Sequence, residues 1–257
     1  MTPTGVSFGI HLPVRMLPGA GPNPPSAALL VDTVDAAKKS GFSSVWVTDH
    51  IVYMDPWLDC MMMLAAIAGQ ANSLGMTIAT GVLGLPLRHP AAIAQTLATL
   101  DVLSGGHLII GVGEGSTESD FLALGIPFRE RRKMLEDGVP ALRALLSGEN
   151  VSHHGPYYDF DNVTVAPRGL QQPCVPIWLS SWGSPVGMRR VARLGDGWVS
   201  SGWHSTPEEF NEALNNLDTA LKNRRKAPGS FPNAVKTMSI YIHQRGILHK
   251  THMVKRS

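Results

Sequence analysis

Short apolar, β-rich runs alternate along the chain with longer segments of helical period. Val6–Leu12, Ser44–Thr48, Met76–Val82, His107–Val112, Val175–Ser180, Gly197–Ser201 and Val235–Ile242 read as strands. Between them, Leu29, Leu30 and Val34 mark a helix that ends at Gly41, and Ile93, Leu97 and Leu100 mark one that leads to Gly105-Gly106. Phe210, Leu214, Leu217 and Leu221 recur at helical spacing behind Thr206-Pro207-Glu208-Glu209, a capping box with proline at the first helical position. Ser184-Pro185 opens another helix that Gly195 closes, and Pro140 is expected to interrupt and kink the helix over Arg131–Leu146. The longer gap between the fourth and fifth strand runs holds Val151–Phe160, which reads as a hairpin insertion.

Strand–helix alternation of this kind implies parallel strands joined by crossovers. Polar residues decide between a doubly wound sheet and a barrel. His11, Asp49-His50, Gly81, Gly113-Glu114-Gly115-Ser116, Ser180-Ser181 and Ser200-Ser201-Gly202 stand at the carboxyl ends of successive strand runs. A doubly wound sheet gathers its site at one switch point, whereas a (β/α)8 barrel collects it from many strand ends on one face. The reading is therefore an α/β chain of the TIM-barrel type, with an insertion after strand four. Seven strand runs rather than eight leave its C-terminal end incomplete. The division expected is a barrel domain over 1–244 and a basic tail over 245–257.

Composition narrows the functional classes. Only 16% of the 257 residues are charged, below the roughly 25% of ordinary soluble domains, so much of the chain is buried and disorder is excluded. The formal charge of +2 is misleading as a single number. From Arg245 onward there are four basic residues and no acid, which leaves 18 basic against 20 acidic in the body. A mildly acidic body makes no electrostatic case for nucleic acid. Two cysteines, Cys60 and Cys174, rule out a disulfide scaffold, and no run is long enough to span a bilayer. The expectation is a cytoplasmic homodimer that acts on a small molecule, with no membrane or nucleic-acid partner.

Asp49-His50 is the first candidate for chemistry, because histidine exchanges protons near neutral pH and a carboxylate stands beside it at a strand end. The bland alternative is a loop cap and a packed ring. Gly111-Val112-Gly113-Glu114-Gly115-Ser116 is not a dinucleotide fingerprint, yet alternating glycines let backbone N–H groups approach an anion or a flat ring. A plain glycine turn is an equal reading. Ser180-Ser181-Trp182-Gly183-Ser184 before a helix is the better anion candidate, its alternative an ordinary N-cap. His89-Pro90 caps a helix, His153-His154 lie in the insertion, and His107 begins a strand on the opposite rim. No paired-histidine spacing suggests a metal, no G-x-S-x-G elbow suggests a serine hydrolase, and Met61-Met62-Met63 reads as packing.

Taken in order, Gly41–His50, Thr80-Gly81-Val82-Leu83, Gly111–Gly115, Gly125–Arg131, Gly155-Pro156-Tyr157-Tyr158, Pro176–Leu179 and Arg193–Trp198 resemble the bacterial luciferase-like oxidoreductases. The resemblance implies a TIM barrel that uses coenzyme F420 or FMN, and the Asp-His ending of the second strand is more similar to the F420 branch. It further implies that His50 and Asp49 are catalytic, His50 exchanging a proton beside the reactive ring carbon and Asp49 contacting the cofactor head group. Gly81-Val82 matches a non-prolyl cis peptide in F420 relatives. Gly113, Glu114, Gly115, Ser116, Ser180, Ser181 and Gly183 match segments that hold the ring edge, ribityl chain and phosphate.

Two departures qualify the likeness. Sugar-phosphate dehydrogenases of the family carry a glutamate where this chain has Ser116, and the matching loops hold no lysine for a substrate phosphate. After Val235–Ile242 the family continues to an eighth strand and a closing helix that are not seen here. The expected activity is F420-dependent hydride transfer with a small, largely apolar organic substrate. An FMN-dependent monooxygenase, a truncated paralogue without catalysis and a cofactor-free isomerase are the alternatives.

Overall fold

In a computed structural model, which describes residues 6–13, 25–54, 56–202, 205–228 and 231–236 and the backbone of 242–243 and 246–247, the apolar runs become parallel strands. The first four are β1 (Gly9–His11), β2 (Ser44–Val47), β3 (Thr77–Gly84) and β4 (Leu108–Gly113). A hairpin of β5 (Val151–His154) and β6 (Asp159–Val163) is inserted next, followed by β7 (Ile177–Ser180), β8 (Gly197–Ser201) and β9 (Asn233–Lys236). The sheet order β1-β2-β3-β4-β7-β8-β9 never reverses, so no switch point exists and the doubly wound alternative is excluded. The last run yields strand only to Lys236. Residues 237–241 lie outside the described residues, and the backbone of β10 (Ile242–His243) and β11 (Gly246–Ile247) forms a separate antiparallel pair. The tail expected over 245–257 otherwise lies outside them too.

The sheet curls. Lys236 on one edge strand reaches across the lumen to Thr48 beyond β2, at 2.5 Å, and to the Gly81 carbonyl within β3. That contact joins strands near opposite edges of the sheet, which gives a half-barrel with one concave side.

Among the described residues the α-helices are α1 (Ala27–Lys39), α2 (Cys60–Ser73), α3 (Pro90–Leu103), α4 (Glu118–Ala123), α5 (Arg131–Ser147), α6 (Pro185–Leu194) and α7 (Pro207–Lys222). The long ones cover the convex side, and the short α4 lies against the loop after β2. Alternation along each strand sets the division of labour. Val45 and Val47 of β2 are fully buried in the core with Leu64 and Ile67 of α2, while Trp46 between them faces the lumen. Met61 and Met63 pack in that core and Met62 is exposed, so the run is packing, with α2 buried over a wide arc. Each large buried aliphatic side chain contributes about 1.5–3 kcal/mol relative to exposure. Pro140 does not interrupt α5. The helix runs through it because Val139, Ala141 and Leu142 are buried on either side and hold the segment across the lost hydrogen bond.

Trp46 and Trp178 line the lumen, their ring centroids 6.1 Å apart. Glycine makes room for both. A Cβ at Gly9 would meet Trp46 at 2.5 Å, and one at Gly197 would meet Trp178 at the same distance. Helix starts follow their sequence signals: His89 caps α3, Ser184 caps α6, and Thr206 with Glu209 forms the full capping box of α7. Among the described residues no helix is long and apolar enough to cross a membrane.

Candidate functional site

All seven strands of the sheet are parallel, so their carboxyl ends gather along one rim, and the polar residues of the sequence stand there. The loop after β2 sends its two chemical residues to different places. Asp49 is 6% exposed and its carboxylate accepts from both Arg88 Nη atoms, at 2.5 and 2.9 Å, from the Gly84 N–H at 3.1 Å and from the Cys60 thiol at 3.2 Å. Four donors occupy it. Burial first, then the Asp49 charge, pushes the Cys60 thiol far above its ordinary range, so it stays protonated.

His50 goes the other way. Its Nδ1–H donates to Asp120 Oδ2 at 2.9 Å, because a carboxylate only accepts, and this leaves Nε2 to exchange a proton. The other Asp120 oxygen accepts the N–H groups of Ile51 and Val52 at 2.9 and 2.6 Å, so the start of α4 clamps the 50–52 loop. Tyr53 and Trp57 complete an aromatic box, their ring centroids 4.4 and 4.7 Å from the imidazole. The His50 side chain keeps 15% of its surface open, against 4% for Asp120.

The Gly81–Val82 peptide is cis, at a register shift between β3 and β4. The glycines of β4 answer to this bulge. A Cβ at Gly111 would lie 2.2 Å from the Thr80 carbonyl, and one at Gly113 would lie 2.8 Å from Val82 and 3.6 Å from Ser180. Their alternation is thus explained by close approach of the neighbouring strand, which the sequence reading had as loop chemistry, and it brings Val82, Gly113 and Ser180 together. Glu114 pairs with Arg132 at 3.0 Å, the Gly115 carbonyl accepts from Arg131 Nε, and Ser116 is exposed. Gly115 has φ +80° with the Phe121 ring under its Cα, a place for no other residue. Ser181 Oγ accepts from the Gly183 N–H and lies against Gly187 in the first turn of α6, beside the Ser184 cap.

A second polar group lies inside the lumen. His11 donates Nδ1–H to the Leu12 carbonyl, which fixes Nε2 as acceptor of the Thr48 hydroxyl at 2.6 Å. Burial, aided by the Lys236 charge, pushes the His11 pKa down to about 4, so it is neutral at pH 7. Lys236 Nζ donates to Thr48 Oγ1 at 2.5 Å and to the Gly81 carbonyl at 3.2 Å, and burial pushes its pKa down to about 8.

Sequence reasoning missed Asp120, Arg88 and Lys236. An acid in the first turn of a short helix and a lysine in a strand each have commoner explanations, and no spacing rule links Asp120 to a histidine 70 residues away. Two clefts of about 350 and 450 Å3 lie on the convex side, one beside Ile10, Leu29 and Phe42, the other between α6 and α7 beside Arg189, Arg193 and Arg224. Neither includes a strand-end residue.

The profile of the luciferase-like monooxygenase family matches residues 6–245. A 5,10-methylenetetrahydromethanopterin reductase from Archaeoglobus fulgidus is 29% identical over 208 residues, which cover 80% of this chain and 59% of the relative. An F420-dependent glucose-6-phosphate dehydrogenase from Kineococcus radiotolerans is 34% identical over 181 residues, 66% of this chain and 51% of the relative. The chain thus spans little more than half the length of these curated relatives. The crystal structure of monooxygenase RslO1 from Streptomyces bottropensis superposes with a TM-score of 0.77 at 26% identity, covering 87% of this chain and 68% of that one.

Proposed function

Because this chain belongs to the luciferase-like monooxygenase family, we propose that it is an oxidoreductase that uses coenzyme F420 and acts on a small organic substrate. The observation that carries the proposal is the His50–Asp120 pair at the strand-end rim, with Tyr53 and Trp57 around the imidazole. The donor set fits a flat, anionic cofactor. Serine hydroxyls and the first-turn N–H groups of α6 suit a phosphate, and Lys236 supplies positive charge in the lumen.

The bound deazaflavin would supply hydride chemistry toward the substrate. His50 Nε2 gives or takes the accompanying proton, and Asp120 holds the imidazole in the tautomer that makes Nε2 the reactive nitrogen. Tyr53 and Trp57 pack against the imidazole and hold its orientation. Gly81, Val82 and Gly113 would form the floor of the site, while Gly113, Gly115, Ser116, Ser180, Ser181 and Gly183 would hold the cofactor. Glu114, held by Arg132, braces that loop, and Asp49 acts through Arg88 and Gly84 to set the position of the β2 and β3 ends.

FMN in place of F420, with dioxygen as co-substrate, is the second reading, favoured by the likeness to a monooxygenase structure. A homodimer in the cytoplasm and the division into a catalytic body, 1–244, and a basic tail, 245–257, belong to the same proposal. Sedimentation of the full chain and of a variant ending at 244 tests both. The cofactor is tested by titrating purified protein with F420 and with FMN while following fluorescence. Saturable micromolar binding of F420 alone is the expected result, FMN alone transfers the proposal to the second reading, and binding of neither overturns both.

A further inference from the structure

Among the described residues, most cations at and around the rim face a carboxylate, and Arg131, which does not, is met by the Gly115 and Phe128 carbonyls. Arg88 is answered by Asp49, Arg132 by Glu114, and Arg190 and Arg193 by Glu136. Lys236 is not. Its ammonium is half-buried inside the curled sheet, and the groups the described residues set around it are the Thr48 hydroxyl, the Gly81 carbonyl and His11. None is an anion, and His11 is the one titratable group among them. Removing an ammonium from water without a counter-charge is costly, and a protein tolerates the cost where a ligand supplies the anion.

We infer that Lys236, with Thr48 and His11 behind it, forms an anion subsite in the lumen, which takes one negatively charged oxygen of the carboxylate or enolate kind. The inference deepens the reading of the rim as an active site and rests on it. It names a property of the ligand: an anionic oxygen at the end that enters the lumen, away from the aromatic box around His50. Thr48 is the second donor once its hydroxyl turns from His11. His11, neutral and held by the Leu12 carbonyl, leaves the positive charge to the lysine alone. A compact anion fits better than a bulky one because Trp46 and Trp178 narrow the lumen. The anion comes from a substrate carboxylate or from the ring oxygen of a reduced cofactor, and the two sources separate by experiment.

The test is a lysine side-chain Cε–Nζ correlation spectrum of labelled, ligand-free protein. The Lys236 signal is identified by its absence in Lys236→Met, or in Lys236→Arg should the methionine variant not fold. It is expected to titrate near pH 8, below the other lysines. Sodium acetate is then added, and separately photoreduced FMN and reduced F420. A saturable shift of this signal with acetate, with the midpoint moving upward because an anion holds the proton on, supports the subsite and assigns it to a substrate carboxylate. A shift with a reduced cofactor and none with acetate supports the subsite and assigns it to the ring. No shift with any of these probes overturns the inference. If neither cofactor binds but acetate shifts the signal, the cofactor proposal falls and the subsite stands.

Discussion

Asp49 and His50 are neighbours in the chain, and their surroundings differ in the way that separates structural from chemical groups. The Asp49 carboxylate is saturated by four donors and sealed beneath α2 and the end of β3. The imidazole of His50 has one committed nitrogen, one nitrogen with no hydrogen-bond partner among the described residues, and an opening to the rim. Both are polar, partnered and at a strand end. The lesson is that unused bonding capacity, rather than position, marks the group that can react.

The comparison breaks most sharply at His50. His50→Gln should fold normally yet lose about 10²–10⁴-fold in turnover, the usual worth of a positioned acid–base group. Steady-state rates with the bound cofactor check this, and a loss below tenfold would place the proton elsewhere. Asp49→Ala should do the reverse and destabilise by about 3 kcal/mol, because the largely buried Arg88 loses both close hydrogen bonds and keeps only Asp59, 4.0 Å away. Denaturant unfolding measures that, and a loss under one kcal/mol would return Asp49 to the list of groups free to meet a ligand.

A third outcome sharpens the contrast within the lumen. His11 has a folded pKa of about 4 against an ordinary 6.5, so between those values the unfolded chain binds the extra proton and the folded one does not. Stability should therefore fall as pH drops through that window, by at most about 3 kcal/mol, and flatten below it. His11→Gln should remove the slope, read by unfolding at successive pH values. The smallest effect is expected at Asp120→Asn. An amide nitrogen facing Nδ1–H reverses the tautomer of His50, which should lower turnover by about a hundredfold at most and leave cofactor affinity nearly unchanged.

The fold was legible because its signals are local. Seven apolar runs, three helix caps and the hairpin insertion follow from residues a few positions apart. Pro140 reads locally as a break, yet α5 continues through it because tertiary packing around Val139 and Leu142 outweighs one missing bond. At the site, legibility stopped at strand ends. His50, Gly81 and Ser181 declare themselves by position, but Asp120 and Lys236 arrive from elements far along the chain and look ordinary where they stand. The glycines at 111 and 113 were visible and their reason was not, since the bulge they accommodate belongs to another strand.

The tryptophans packed beneath the rim have an optical consequence. The protein contains six, and Trp46 and Trp178 sit in the lumen with Trp46 directly under Gly81. A yellow chromophore settling above them would absorb their emission by energy transfer over a distance far shorter than such transfer needs. Occupancy of the rim would then be readable as a dimming of intrinsic fluorescence, with Trp46→Phe as the substitution that blunts the gauge.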